Sequence, residues 1–180
     1  MEVVNGESEI NEKKLFHGTS RWDPQVLCTG NQGFDPRVSN DGFYGQGVYF
    51  AQNPDYSHLY AHRVRKRTGS SPSLCTSEEV FQIVLASVAC GISKDFGPQV
   101  DGDTRKLRRP PPRPSDQTTD QTTQNDLLFA GDTLFDSVRA GPHGNEHGSS
   151  IMYIVYDSLQ AAPDYLITYV WRDDMDLDSD

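Results

Sequence analysis

The stretch GFYGQGVYFAQNPDYSHLYAHR, residues 42–63, constrains the fold most, because it combines three glycines within six residues with four tyrosines. Glycine permits tight turns and close backbone approach, and QGVYFA after the turns is typical of a β-strand. Asn53 can cap a helix that has Pro54 in its first turn, so the pattern predicts a helix over 53–66. A glycine-rich turn, a strand and a helix are therefore expected to follow one another directly.

The spacing of side chains in this stretch suggests a pocket. Ser57 and Tyr60 are three residues apart and would share one face of the helix. Together with Tyr49 on the preceding strand, they could form aromatic walls with a hydroxyl at the edge, which suits a flat polar ring such as a carboxamide-bearing pyridine. An aromatic core stripe beside a tight turn is the simpler interpretation, and periodicity alone favours it.

Apolar runs elsewhere predict the other main elements of the fold. Asp23, Pro24 and Gly30 predict a short helix over 23–30. Irregular segments rather than regular helices separate the apolar runs, so a doubly wound fold is excluded and a strand-rich α+β fold with few helices is expected. The run over 151–157 has two apolar faces and should be buried on both sides. The predicted strands are KLFHG (14–18), VFQIVLASVACG (80–91), YLITYV (165–170) and the two-faced IMYIVYD (151–157).

The 180 residues suffice for one domain with a core. We expect this domain over 14–171, between an acidic lead (1–13) and an acidic tail (172–180). Residues 93–132 are rich in proline, threonine, glutamine and aspartate and lack apolar periodicity, so they predict a long mobile insertion. The segment AGPHGNEHGSS (140–150) predicts a second loop.

The formal net charge of −10 argues against tight binding of duplex nucleic acid. Two basic clusters, HRVRKR (62–67) and RKLRRPPPR (105–113), are more typical of solvated faces, but they leave nucleic acid open as a partner. The three cysteines have neither a disulfide pattern nor metal-ligand spacing, which favours free thiols in a reducing compartment. With no signal peptide and no membrane-length apolar stretch, we expect a cytoplasmic or nuclear protein that does not enter membranes.

Five ordered blocks carry a family resemblance: LFHGTS, YGQGVYFAQNPDYSHLY, LFDSV, MYIVYD and PDYLITY. Together they resemble the catalytic domain of the poly(ADP-ribose) polymerase family, the diphtheria-toxin-like ADP-ribosyltransferases, over residues 15–170. The resemblance implies split antiparallel β-sheets around an NAD cleft, with NAD as co-substrate and no metal. Residues 31–43 would line the donor site, and 14–171 would be the catalytic domain.

The resemblance also implies roles for individual residues. His17 matches the first signature residue, which hydrogen-bonds a ribose hydroxyl of NAD, and Tyr49 matches the second, a wall of the nicotinamide site. Gly18 matches the glycine whose backbone grips the carboxamide, and Thr19 lies near the adenosine side. Ser57 matches the hydroxyl that bonds the carboxamide oxygen.

Two further aromatic residues compete for one family position. Tyr60 matches the stacking tyrosine, although Tyr56 is a possible substitute because the spacing varies.

The histidines His58, His62, His143 and His147 match no signature and are expected at the surface.

Met152 occupies the third signature position, which is a glutamate in chain-elongating members. A thioether can neither orient a ribose hydroxyl nor polarise an acceptor. The resemblance therefore implies a mono-ADP-ribosyltransferase with His17, Tyr49 and Met152 at the three catalytic positions. The alternative is that Met152 only fills the core and activity is lost.

We expect the protein to transfer one ADP-ribose from NAD to an acceptor, a protein side chain, with release of nicotinamide. The protein itself is one candidate acceptor, and a monomer is expected. A catalytically silent NAD- or partner-binding module and transfer to nucleic-acid ends are alternatives. The insertion falls where the family carries its acceptor-side loop, so it either selects the acceptor or is filler. Because the sequence begins almost at HGT, we expect no autoinhibitory helical domain before it; the alternative is that the chain is a fragment of a longer protein.

Overall fold

The computed structural model describes residues 10–20, 22–30, 33–68, 76–113, 134–145 and 148–171. Its helices are short, α1 (Gln25–Thr29) and α2 (Pro54–His58), with 3-10 turns at Pro36–Val38, Thr104–Lys106 and Ser158–Gln160. The strands are β1 (Glu12–His17), β2 (Val48–Ala51), β3 (His62–Thr68), β4 (Thr76–Ala89), β5 (Ser93–Asp95), β6 (Ser137–Asn145), β7 (Gly148–Val155) and β8 (Ala161–Tyr169). The predicted strand-rich α+β class is confirmed.

The strands follow the order β3-β4-β1-β2-β7-β6-β5, and β8 also pairs with β4. The β5–β6 pair is parallel and the other pairs are antiparallel. Val84 of β4 pairs with His17 on one side and Leu166 of β8 on the other, while Phe81 pairs with Arg63 and Tyr169. Strands β1 and β3 therefore lie end to end along the same edge of β4.

The sheet is nearly divided between β1 and β2, which are joined by the single pair Phe16↔Ala51. One half contains β3, β4, β8 and β1, and the other contains β2, β7, β6 and β5. The predicted split is thus realised as two halves whose strands share one paired residue position, Phe16↔Ala51. We call this junction the split.

The two faces of β7 are buried in different clusters, which confirms the prediction of a strand buried on both sides. Tyr153 and Val155 pack with Phe50 and Val84 on one face. Met152 and Ile154 pack on the other face with further buried residues, Tyr44, Ala51, Tyr56, Val138 and Ala140. Full burial of a Val or Ile side chain contributes about 1.5–3 kcal/mol, so the strand is firmly anchored.

Helix α1 confirms the prediction over 23–30, and the Asp23 carboxylate accepts the Gln25 N–H at 2.9 Å. The predicted helix over 53–66 is wrong beyond His58. Residues 62–68 form β3 instead, because their backbone pairs with β4 along its edge. None of the helices in the described part of the chain is long and apolar enough to cross a membrane.

Two predicted loops contain regular structure. Most of 140–150 belongs to the paired strands β6 and β7, whose register runs from Val138↔Ile154 to Asn145↔Gly148. The predicted insertion over 93–132 begins inside the fold, because β5 pairs with β6 and residues up to 113 are described. The remainder of that insertion, 114–132, lies outside the described residues.

Candidate active site

His17 ends β1 at the split, and its Nδ1 lies 2.8 Å from the carbonyl oxygen of Tyr49. Because a carbonyl oxygen only accepts, Nδ1 must carry the hydrogen of the neutral ring, which leaves the lone pair of Nε2 for a ligand. Burial lowers the pKa of His17, and the Tyr49 hydrogen bond opposes this with a smaller effect. The imidazole is therefore neutral at pH 7 and suited to accept a hydrogen bond from a hydroxyl.

The His17 ring is held by two phenylalanines that the sequence reasoning missed. Its centroid lies 5.3 Å from that of Phe34 and 5.4 Å from that of Phe50, and the two phenyl rings are 5.0 Å apart. Alternation along β2 could have indicated Phe50, since it must face away from Tyr49. No pattern in the sequence indicated Phe34. The ring of His17 is thus oriented by packing as well as by its hydrogen bond.

Gly18 has backbone groups available at the split. A Cβ atom on Gly18 would lie only 2.3 Å from the Tyr60 carbonyl oxygen, so no other residue fits. Phe16 faces β2, and backbone groups alternate along a strand, so those of Gly18 also turn away from β4. No described residue donates to or accepts from the Gly18 backbone. Its N–H and C=O can therefore match a ligand's carboxamide, which presents one acceptor and one donor side by side.

Ser57 and Tyr60 come from α2 and the turn after it. The Ser57 side chain is 3% exposed, and its hydroxyl donates to the Phe16 carbonyl at 3.2 Å, directly at the split. The helix ends at His58, but the Tyr60 N–H bonds the Ser57 carbonyl at 3.0 Å and extends the turn. The Tyr60 carbonyl accepts the Ser20 N–H at 2.7 Å. Tyr60 is 47% exposed, so its ring is accessible for stacking.

The hydroxyl of Tyr49 is fully engaged in the glycine-rich turn before β2. It donates to the Gly45 carbonyl and accepts from the Tyr44 N–H, both at 2.8 Å. A Cβ atom on Gly42 would lie 2.6 Å from this hydroxyl, so the glycine lets the turn close over the ring. Burial raises the pKa of Tyr49. Tyr49 can therefore offer its ring as a wall, whereas its hydroxyl is committed to the turn.

Met152 lies on the same face as Tyr49 and is 4% exposed. Its cross-strand neighbours are both alanines, Ala51 on β2 and Ala140 on β6. The long thioether fills the space that these small side chains leave, next to Tyr56 in the same cluster. Met152, predicted at the third signature position, is therefore part of an apolar wall.

Tyr56 and Thr19 are placed differently from the other predicted residues. Tyr56 is buried, and its burial raises its pKa to about 12. Its ring centroid lies 6.3 Å from that of Tyr60, so Tyr60 is the exposed partner and Tyr56 the supporting one. The Thr19 hydroxyl donates to the Trp22 carbonyl at 2.5 Å and closes the turn after β1.

Residues 97–108, inside the predicted insertion, brace the glycine-rich turn. The buried Thr104 hydroxyl donates to the Phe43 carbonyl at 2.9 Å, and the Gln46 N–H bonds the Leu107 carbonyl at the same distance. A Cβ atom on Gly45 would lie 1.9 Å from that Leu107 oxygen. The sequence reasoning missed this contact, since polar composition does not reveal which part of a long segment packs.

The expectation that the remaining histidines lie at the surface is wrong for His58 and holds only in part for His62 and His143. His58 is buried and stacks on Trp171, with ring centroids 3.9 Å apart. The Nε2 of the half-buried His143 lies 2.9 Å from the Tyr44 hydroxyl. His62 is also half-buried, and His147 lies outside the described residues. Within the described ranges no three His, Cys, Asp or Glu side chains come together as potential metal ligands.

The sequence profile of the poly(ADP-ribose) polymerase catalytic domain matches residues 3–171. Because this match covers nearly the whole chain, the chain belongs to that family. The predicted family and the ADP-ribosyltransferase fold are confirmed.

The chain is similar to several named proteins of this family. A probable poly(ADP-ribose) polymerase of Dictyostelium discoideum is 31% identical over 158 residues, 88% of the chain and 34% of that protein. The protein mono-ADP-ribosyltransferase PARP12 of Mus musculus is 32% identical over 171 residues, 94% of the chain and 18% of that protein. The protein mono-ADP-ribosyltransferase PARP14 of Homo sapiens is 28% identical, over 94% of the chain and 7% of that protein. The chain thus spans between 7% and 34% of the length of these three relatives.

Proposed function

We propose that this domain transfers a single ADP-ribose from NAD to a protein side chain and releases nicotinamide. The observation that carries the proposal is the meeting of three features at the split. They are the neutral His17 ring, the Gly18 backbone, which has no hydrogen-bond partner among the described residues, and the Ser57 hydroxyl. A nicotinamide group needs this combination, since its carboxamide must be oriented while its ribose is held.

The nicotinamide ring would lie between Tyr60 and Tyr49. Its carboxamide would donate to the Gly18 carbonyl and accept from the Gly18 N–H. The Ser57 hydroxyl, which donates to Phe16, would turn by rotation about its side-chain bonds to donate to the carboxamide oxygen instead. Stacking on an aromatic ring and two or three hydrogen bonds fix one orientation of a flat ligand.

His17 would accept a hydrogen bond from a ribose hydroxyl through Nε2. Transfer breaks the bond between the anomeric carbon and the nicotinamide nitrogen, and the bonding electrons neutralise the pyridinium. The ribose passes through an oxocarbenium-like transition state, and a nucleophilic side chain of the acceptor forms the new bond and loses its proton. Such a reaction depends mainly on positioning, which the packing around His17 supplies.

Met152 supports transfer of one unit rather than a chain. Its buried thioether carries no charge and accepts only weak hydrogen bonds, so it cannot activate a hydroxyl of an earlier ADP-ribose. Two of the relatives described above are named protein mono-ADP-ribosyltransferases, which agrees with this assignment.

Protein side chains are the proposed acceptors, and the domain itself is one of them. We further propose that the protein acts as a monomer in the cytoplasm or nucleus. Two described cysteines, the exposed Cys28 and the buried Cys90, are free thiols, which agrees with a reducing compartment.

The test is intact-mass spectrometry after incubation with NAD, in parallel with binding of benzamide as a nicotinamide mimic. Ser57→Ala should weaken the stabilisation by benzamide by about 1–3 kcal/mol, since a buried carboxamide loses a partner. Benzamide binding without any NAD turnover would show a silent NAD-binding module. An unchanged thermal shift in Ser57→Ala would remove Ser57 from the site.

A further inference from the structure

Helix α2 carries the proposed nicotinamide contact Ser57 but has only five residues, Pro54–His58. A helix this short is not stable alone, so tertiary contacts must hold it. It contacts β7 and β2 of one half of the sheet and β1 and β4 of the other. The helix therefore spans the split.

Two side chains of α2, one on each side of Ser57, anchor it to the two halves. Tyr56 packs in the cluster of Met152 and Ile154, which belongs to the half containing β2 and β7. His58 packs against Phe81 of β4, with ring centroids 4.6 Å apart. Ser57 lies between these two anchors and points at the split.

The His58 anchor is completed by the end of β8. Its Nδ1 lies 2.8 Å from the Tyr169 hydroxyl, and its ring stacks on Trp171 at 3.9 Å with an angle of 19° between the planes. Burial raises the pKa of Tyr169 to about 12, so this hydroxyl stays protonated and the hydrogen bond persists at neutral pH. None of these three residues has a role in the chemistry proposed above.

We propose that His58, Tyr169 and Trp171 form a clamp that fixes the position of α2 relative to the split. The clamp thereby positions the Ser57 hydroxyl and the Tyr60 ring for nicotinamide. They are positioning residues, since they act through α2 and do not touch the proposed ligand. The inference rests on the proposed function, because it concerns the nicotinamide end of that site. The clamp would therefore make the end of β8 control the affinity for the nicotinamide half of NAD. The affinity for the ADP-ribose half would stay unchanged.

Two ligands separate positioning from general stability. Benzamide probes the nicotinamide pocket alone, and ADP-ribose probes the rest of the NAD site. Tyr169→Phe removes one hydroxyl and keeps the ring, so it should fold. We expect it to weaken benzamide about three- to tenfold and to change ADP-ribose affinity less than about twofold, as expected for one lost hydrogen bond. The matched control is Tyr165→Phe, four residues earlier on β8, where the side chain is exposed. This control should change neither affinity.

Trp171→Ala should weaken benzamide further, and Trp171→Phe should restore most of the affinity because it keeps an aromatic partner for His58. Both affinities falling together would show that the clamp only stabilises the fold and would overturn the inference. Unchanged benzamide affinity in Tyr169→Phe and Trp171→Ala would also overturn it while leaving the proposed function intact. A wild-type protein that binds neither ligand would refute the proposed function itself.

Discussion

The Nδ1 of His17 lies 2.8 Å from the main-chain carbonyl oxygen of Tyr49, so the two residues predicted at the first and second signature positions are hydrogen-bonded directly across the split. The contact uses the backbone of Tyr49 because its side chain faces the opposite side of β2. Any residue at position 49 could provide this carbonyl, whereas only histidine provides both the Nδ1 donor and a free Nε2.

His17→Asn separates these two functions of the imidazole. The asparagine amide can replace the Nδ1 donor to Tyr49, but it has no atom at the position of Nε2. We expect near-normal benzamide binding and a loss of NAD turnover of about ten- to a hundredfold, equivalent to about 1–3 kcal/mol for one lost partner of a buried polar group. Steady-state kinetics with NAD would measure this. Undiminished turnover would exclude Nε2 as a ribose contact.

The pH dependence of stability should also report on His17. Burial lowers its pKa below the ordinary value of about 6.5, so between the two values the unfolded chain binds more protons than the folded one. Its contribution to stability is therefore fully present above pH ~6.5 and is lost as the pH falls through the lowered pKa. Thermal midpoints from pH 5 to 8 should fall more steeply at the acid end for wild type than for His17→Asn. Parallel curves would contradict a lowered pKa for His17.

Gly18→Ala should abolish carboxamide binding. The new Cβ would lie 2.3 Å from the Tyr60 carbonyl oxygen, so the turn that carries the Tyr60 ring must move. We expect a drop in benzamide affinity of more than about a hundredfold, since both the backbone contacts and the stacking ring are displaced. Gly102→Ala is the control, because a Cβ there meets no atom within 4 Å. Calorimetric titration that finds equal affinities in both variants would place the carboxamide elsewhere.

Strands β1, β2, β4, β7 and β8 could be predicted from the sequence because each has a local apolar pattern, and the candidate site residues stay predictions from the ordered blocks. The apolar run ending in Val155 is buried on both faces, as its composition predicts. The failure at β3 has a physical cause. Helix-start signals at Asn53 and Pro54 are local, whereas the end of α2 is decided by pairing between Arg63 and Phe81, which no local pattern reports.

The supporting residues of the site were also beyond prediction for a physical reason. Phe34 contacts His17 from the loop after α1, and Thr104 reaches Phe43 from within a polar stretch. Such contacts depend on the tertiary arrangement of separate elements. Their composition places residues 97–108 in the predicted insertion. Their hydrogen bonds to Phe43 and Gln46 show instead that they brace the turn before Tyr49.

The part of the predicted insertion outside the described residues should be dispensable for NAD binding. Its ends are held together, since Pro112 pairs with Leu134 and Arg113 lies 2.9 Å from the Asp136 carboxylate. A short glycine–serine linker in place of 114–132 should therefore close with little entropic cost. We expect benzamide affinity to stay within about twofold of wild type, as every described contact of the proposed pocket is retained.

The control for this replacement is Thr104→Val in the described part of the same segment. It removes the hydroxyl bonded to Phe43 and should weaken benzamide binding through the glycine-rich turn. Titration calorimetry on both variants makes the comparison. Loss of binding in the linker variant would show that residues 114–132 belong to the NAD site.

Met152→Glu tests the apolar wall at the third signature position. The carboxyl would replace a buried thioether between Ala51 and Ala140, and burial would raise its pKa and favour its neutral form. We expect a loss of unfolding free energy of about 1–3 kcal/mol, the cost of burying a polar group without a full set of partners. Met152→Gln, which has the same length and no charge, is the control. Thermal unfolding as a function of pH would separate the effect of charge from that of polarity.

Product length follows from the same side chain. The first transfer depends on holding NAD, for which the proposed contacts at His17, Gly18 and Ser57 do not require a carboxylate. Growth of a chain would additionally require activation of a hydroxyl on the bound ADP-ribose, which the Met152 thioether cannot supply. Wild-type protein incubated with NAD should therefore gain single ADP-ribose increments on separate residues, located by fragmentation mass spectrometry. Met152→Glu should give the same pattern, because one carboxylate does not create a site that holds the growing end. Long chains that grow from one residue in the wild-type protein would refute the assignment of mono-ADP-ribosyl transfer.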